Sequence, residues 1–214
     1  MRRRFNRYGA DVFDTHQLME MLLFHSIKRS DTNELAHIVL NAKPDGGLKA
    51  SSEQDFLDID GVGENTANLL SISSAMTVRL LHDTICTEPL DSDFSAMLCA
   101  WLCFADKSDK SVVALLLDEK KRLLEKLWLS RGMSNRPESY LEILLHAIKA
   151  SSGDKYPIKN VIIAHNHLDR SKASSAEDVY MTMLLSKHLS KAGACLLASY
   201  IVTDTDCVNC VGVI

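Results

Sequence analysis

The chain has 214 residues, room for one medium domain or two small ones, and its 46% hydrophobic and 24% charged residues support a sizeable core and argue against disorder. A net charge of -4 excludes a protein dedicated to coating nucleic acid, while leaving room for a local basic patch such as Arg2-Arg3-Arg4 with Arg7. No apolar run nears the roughly 18–20 residues of a membrane span, and residues 1–30 lack a signal-peptide core with a cleavage site, so a cytoplasmic protein without membrane contact is expected.

The first half reads as short helices. Thr15 is placed to cap a helix through Leu18, Met19, Met21, Leu22 and Leu23. Asp31 with Glu34 resembles a capping box ahead of the apolar face of Leu35, Ile38 and Val39. Pro44-Asp45-Gly46-Gly47 breaks the chain, Ser52 caps a helix bearing Phe56, Leu57 and Ile59, and Asp60-Gly61-Val62-Gly63 turns into a longer helix from Glu64 to about Leu81. Helix, Gly-Val-Gly, helix is a helix-hairpin-helix pattern, in which Gly61 and Gly63 let backbone amides approach a DNA phosphate. The same glycines also suit a plain structural turn, and Asp58, Asp60 and Glu64 beside them repel phosphate.

From about residue 93 the pattern changes, which makes 83–95 the natural linker between a helical domain, 1–84, and an α/β domain, 93–214. Val112 to Leu117 is a continuous apolar run, as in a strand buried on both faces, and Leu123–Leu129 pairs with it through the Asp118–Arg122 turn. Arg136-Pro137-Glu138 opens a helix through Leu141, Leu144, Leu145 and Ile148. Val161–Ala164 is a buried strand, 176–192 a helix and Cys195–Val202 a last strand. The six cysteines fit a reducing compartment as free thiols. Cys207 and Cys210 form a lone CxxC without the second pair a structural zinc site needs, and Cys99 and Cys103 are spaced for one helix face.

The chemistry concentrates where strand 161–164 ends. His165 and His167, two apart on an extended chain, point the same way. Asp178, brought back at the start of the next helix, completes a three-ligand site for one divalent ion, zinc by preference, with a coordination position left open for water. Zinc brings the pKa of a water down to about 7, and Ser175 is placed to donate to the oxyanion formed when a carbonyl is attacked. His165-Asn166-His167 is not an HNH nuclease signature, whose residues are dispersed over a ββα unit.

The spacing H-x-H, seven residues, S, two residues, D resembles that of JAB/MPN (JAMM) metalloprotease-like domains. Tyr8-Gly9-Ala10, Leu18 to Ile27, Asp31-Thr32-Asn33, Gly61 to Asn65, Arg136-Pro137-Glu138 and Ile162 to His167 extend the resemblance to the RadC family over nearly the whole chain. The resemblance implies an N-terminal helical domain with a helix-hairpin-helix and a C-terminal JAB/MPN-like, cytidine-deaminase-like α/β domain. It also implies a zinc-dependent hydrolase of peptide or isopeptide-like bonds, with an association to DNA repair. The chain departs from the family at Leu168-Asp169-Arg170, where Pro-Ser-Gly usually follows the second histidine, and at Ala198-Ser199, where an Asp-His pair is usual. Lys110 falls where a JAMM enzyme carries its glutamate base, with Asp109 one register off. Three readings stay open: a zinc hydrolase of reduced activity on a peptide or protein substrate, an inactive DNA- or protein-binding module tied to DNA repair or mobile elements, and a domain whose metal is purely structural.

Overall fold

The structure, a computed structural model, describes residues 1–28, 31–42, 52–105, 109–131, 137–168, 174–203 and 206–210. The expected break at 44–47 lies outside these residues, as do Arg136, Asp169 and Arg170. The chain divides into two compact units, Met1–Arg79 and Leu80–Ile214.

The first unit is helical: α1 (Arg2–Tyr8), α2 (Thr15–Leu23), α3 (Asn33–Ala42), α4 (Glu53–Leu57) and the start of α5 (Glu64–Thr87). Asp14, not Thr15, is the N-cap of α2, in a capping box closed by Gln17. Asp31 accepts from the amide of Asn33 at 3.0 Å, two residues on, instead of pairing with Glu34. Ser52 caps α4 as its spacing predicts. Leu23, Ala36, Val39, Phe56, Ile59, Val62, Ala67 and Leu70 form the core. Between α4 and α5 the chain turns at Gly61, whose φ of 84° suits glycine and where an added Cβ would stand 3.3 Å from a Leu35 methyl. Asn68 donates to Glu53 at 2.8 Å across this hairpin. These packing reasons account for Gly61 without a ligand. A Cβ at Gly63 would meet nothing within 4 Å.

The second unit is built on a five-stranded sheet in the order β2-β1-β3-β4-β5. Its strands are β1 (Ser111–Leu117), β2 (Leu123–Arg131), β3 (Asn160–Asn166), β4 (Cys195–Val202) and β5 (Cys207–Asn209). Only β3 and β4 run parallel, and α8 (Ala176–Lys191) provides their crossover. The predicted strands all form, and three features lie beyond the sequence reading: α5 runs on to Thr87, a helix α6 (Asp93–Leu102) follows it, and β5 comes after the expected last strand.

Alternation along β1 explains its unbroken apolar run. Val112, Ala114 and Leu116 pack with Val161, Ile163 and residues of α8 and of α7 (Pro137–Ala150). Val113, Leu115 and Leu117 pack on the other face with Ile162, Ala164 and α6. The sheet is therefore the middle of three layers, and β1 is buried on both faces although both its neighbours are antiparallel. No helix among the described residues is long and apolar enough to cross a membrane.

Asp118 locks the β1–β2 turn, accepting from the Arg122 amide at 2.9 Å and from its Nε at 2.7 Å. Burial pushes this carboxyl up, but the hydrogen bonds and charge of Arg122 outweigh it and hold the group below the ordinary carboxylate value. Below about pH 4, the unfolded carboxylate value, the unfolded chain then takes the proton first. Stability supplied by Asp118 is complete above that pH and falls as the pH drops through the folded value. Asp118→Asn is expected to flatten the acid limb of stability against pH, measured by urea unfolding from pH 7 to 3. An unchanged slope would remove Asp118 from that account.

Candidate metal centre

β3 carries the two histidines to the edge of the α7–α8 layer. Val112 pairs with His165 across β1–β3, so the two side chains share a face. Asn166 points the opposite way and clamps the start of β1: its Oδ1 accepts from the Ser111 amide at 2.7 Å and its Nδ2 donates to the Asp109 carbonyl at 2.9 Å. This middle residue of His-Asn-His has a structural job that the sequence did not reveal. The amide of His167 donates to the Val202 carbonyl at 2.9 Å, which fixes the strand end against β4.

Asp178 arrives from the first turn of α8. Ser175 is the N-cap: its Oγ accepts from the Asp178 amide at 3.1 Å, while Asp178 Oδ2 accepts from the Ser175 amide and from its Oγ, both at 2.7 Å. The Ser-x-x-Asp spacing is thus a capping box that orients the carboxylate. Ser174 ties the same corner to the end of β5, donating to the Cys210 carbonyl at 3.0 Å.

The three side chains converge. His165 Nε2 lies 3.0 Å from Asp178 Oδ1 and 3.1 Å from His167 Nε2, and His167 Nε2 lies 3.5 Å from Asp178 Oδ2. Four-coordinate zinc with bonds of roughly 2.0–2.2 Å has ligand–ligand edges of about 3.3–3.5 Å. The observed separations sit around that value, so the residues fit one such ion at a single point between them. The rings face each other through Nε2, and His165 Nδ1 is buried without a hydrogen-bond partner among the described residues, so Nε2 is the atom available for ligation. Burial raises the Asp178 carboxyl, but hydrogen bonds from His165 and Ser175 more than reverse this and hold it well below the usual carboxylate range. A carboxylate kept ionised between two imidazoles is a donor set suited to a borderline cation.

The surrounding residues follow the sequence expectations unevenly. Lys110 and Asp109 are both exposed, just ahead of β1. Lys110 stands two residues before Val112, the partner of His165. Leu168 is exposed, and Ser199 is buried on β4 opposite Ile163, its carbonyl accepting from the Cys210 amide. Ser175 donates its hydroxyl proton to Asp178, and the expected donation to an oxyanion would draw on that same proton.

Comparison with known proteins agrees with this architecture. A UPF0758 protein of Rhodobacter capsulatus is 25% identical over 94% of this chain and 92% of its own length. Another, from Fusobacterium nucleatum, is 26% identical over 95% of this chain and 89% of its own. A third, from Ruegeria pomeroyi, is 25% identical over 85% and 80%. The family model described as a RadC-like JAB domain matches residues 90–211, which contain the whole sheet, α6 to α8 and the three converging side chains. The chain belongs to this RadC-like JAB domain family.

Proposed function

We propose that the chain is a zinc-dependent hydrolase of JAB type, acting on a peptide or isopeptide-like bond at a reduced rate. The observation that carries this reading is the convergence of His165 Nε2, His167 Nε2 and one Asp178 carboxylate at separations of 3.0 to 3.5 Å. Three protein ligands leave a fourth position open, which is the pattern of catalytic zinc sites. When bound, such an ion polarises a carbonyl and lowers the pKa of a water toward about 7. The chain's own residues then have defined parts. His165 and His167 hold the ion from a rigid strand end, and Asp178 adds the anionic ligand. Ser175 keeps the carboxylate turned inward and is the candidate donor to the oxyanion.

The reduced rate follows from Lys110. Period-two alternation from Val112, continued one residue past the start of β1 at Ser111, would put residue 110 on the face of the sheet that His165 occupies. An ammonium there cannot take a proton from the attacking water, which is the part a carboxylate plays in the enzymes this domain resembles. The same observation favours a second reading, a metal-holding module that binds nucleic acid or a protein partner without chemistry.

Turnover of fluorogenic peptide and isopeptide probes by the full chain, saturated with zinc, separates the two. The hydrolase reading expects slow cleavage that a chelator stops, zinc restores and His165→Ala abolishes. Cleavage that survives His165→Ala, or none in the zinc-loaded protein, would rule it out.

A further inference from the structure

A second cluster of soft ligands lies within the Leu80–Ile214 unit, apart from the His165 site in sequence and in element. His82 and Cys86 stand one turn apart near the end of α5, and Cys99 and Cys103 stand one turn apart at the end of α6. Each pair therefore presents two side chains on one helix face. We propose that His82, Cys86, Cys99 and Cys103 hold a structural zinc ion that staples the end of α5 to α6.

The geometry supports closure on a single point. Ligand atoms of His82, Cys86 and Cys99 all lie within 4.8 Å of one another, and Cys86 Sγ is 3.3 Å from His82 Nε2. Cys103 is the fourth member of the set: it stands one turn beyond Cys99 at the end of α6, buried in the same apolar layer. Zinc–sulfur bonds of about 2.3 Å and zinc–nitrogen bonds of about 2.0–2.1 Å give a tetrahedron with edges of roughly 3.4–3.8 Å. Small side-chain adjustments reach it from the observed positions. Three sulfurs and one imidazole make a closed ligand set, as structural zinc sites have, in contrast to the three-ligand His165 site.

Burial and charge agree. Cys99 and Cys103 are buried in the apolar layer beneath the sheet, while Cys86 and His82 are only partly covered, which leaves a route for the ion to enter. Zinc with three thiolates and a neutral imidazole carries a formal charge of about -1. Lys126 of β2 supplies the opposite charge, with its Nζ 2.8 Å from His82 Nε2. On metal binding that nitrogen becomes a ligand, and the ammonium turns to the sulfurs beside it. The Cys103 thiol now donates to the Cys99 carbonyl at 3.2 Å, and the protons of the Cys86, Cys99 and Cys103 thiols leave to solvent when the thiolates bind zinc.

Thiol packing alone would give the same burial, so the test reads sulfur–metal bonding directly. The reduced full chain is titrated with cobalt(II), which gives an intense sulfur-to-cobalt charge-transfer band only when thiolates bind it. We expect that band in the wild type and, undiminished, in His167→Ala, which empties the other site; Cys86→Ser and Cys99→Ser should lose it. Failure of the hydrolase reading therefore leaves this readout intact. A folding defect in the serine variants is bypassed in the wild type, where zinc should slow alkylation of half-buried Cys86 by about tenfold or more while exposed Cys195 reacts as before. No thiolate band in the reduced wild type, a band that survives both serine changes, or Cys86 alkylation indifferent to zinc would each overturn the proposal.

Discussion

His167→Ala is expected to remove the part of zinc-dependent thermal stability that comes from the His165 site, while leaving the metal-free protein close to wild type. A ligand that binds only the folded state at a free concentration near 100 times its Kd stabilises by about 2.7 kcal/mol. For a chain of this length each kcal/mol moves Tm by about 2–4 °C, so occupancy of the His165 site should raise Tm by about 5–10 °C. His167 is the clean probe because its ring is part of the ligand set but not of the α8 capping box. Asp178→Ala differs in kind. It removes a ligand and the acceptor of both Ser175 bonds, so its metal-free Tm should also fall, by the equivalent of about 1 kcal/mol for a lost cap. The two variants should thus coincide in zinc response and separate in its absence. Differential scanning calorimetry with and without zinc reads both. A full zinc-induced shift in His167→Ala would remove that residue from the site, and equal metal-free Tm values would deny Asp178 its second role.

The division of labour at Asp178 also marks how far the sequence was legible. The convergence of His165, His167 and Asp178 was readable, because a strand end and a helix start are local features and residues two apart on an extended chain point the same way. Ser175 was readable as part of the motif, but its capping bonds to Asp178 were not, since Ser-x-x-Asp spells a capping box and a catalytic pair alike. Asn166 could not be read at all: its bonds to Asp109 and Ser111 cross strands more than fifty positions apart in sequence. The strands of the sheet were visible from apolar runs, and the unbroken run in β1 spoke for burial on both faces, which comes from helices on each side of the sheet. The His82 cluster was half visible. Cys99 and Cys103 carry helical spacing, but their helix was not anticipated, and the partners on α5 are fixed by packing, which no local pattern encodes.

Lys110→Glu is expected to raise peptide-bond hydrolysis by about 10² to 10⁴, the usual contribution of one positioned acid–base group. The expectation rests on register. Val112 shares a face with His165, and stepping back two residues returns to the same side, so a carboxylate at 110 would stand beside the water next to the ion. Asp109 lies in a bend ahead of β1, and its backbone carbonyl is already held by Asn166. The substitution also replaces a positive charge with a negative one near a dication, which by itself tightens metal binding. Lys110→Ala separates the effects, because it removes the repelling ammonium without supplying a base. Zinc affinity should therefore rise in both variants and more in Lys110→Glu, while only Lys110→Glu gains turnover, and His165→Ala in that background should erase the gain. If Lys110→Glu and Lys110→Ala hydrolyse the probes at the same rate with zinc saturating, position 110 does not address the reacting water. The lost base would then fail as the reason for a slow enzyme.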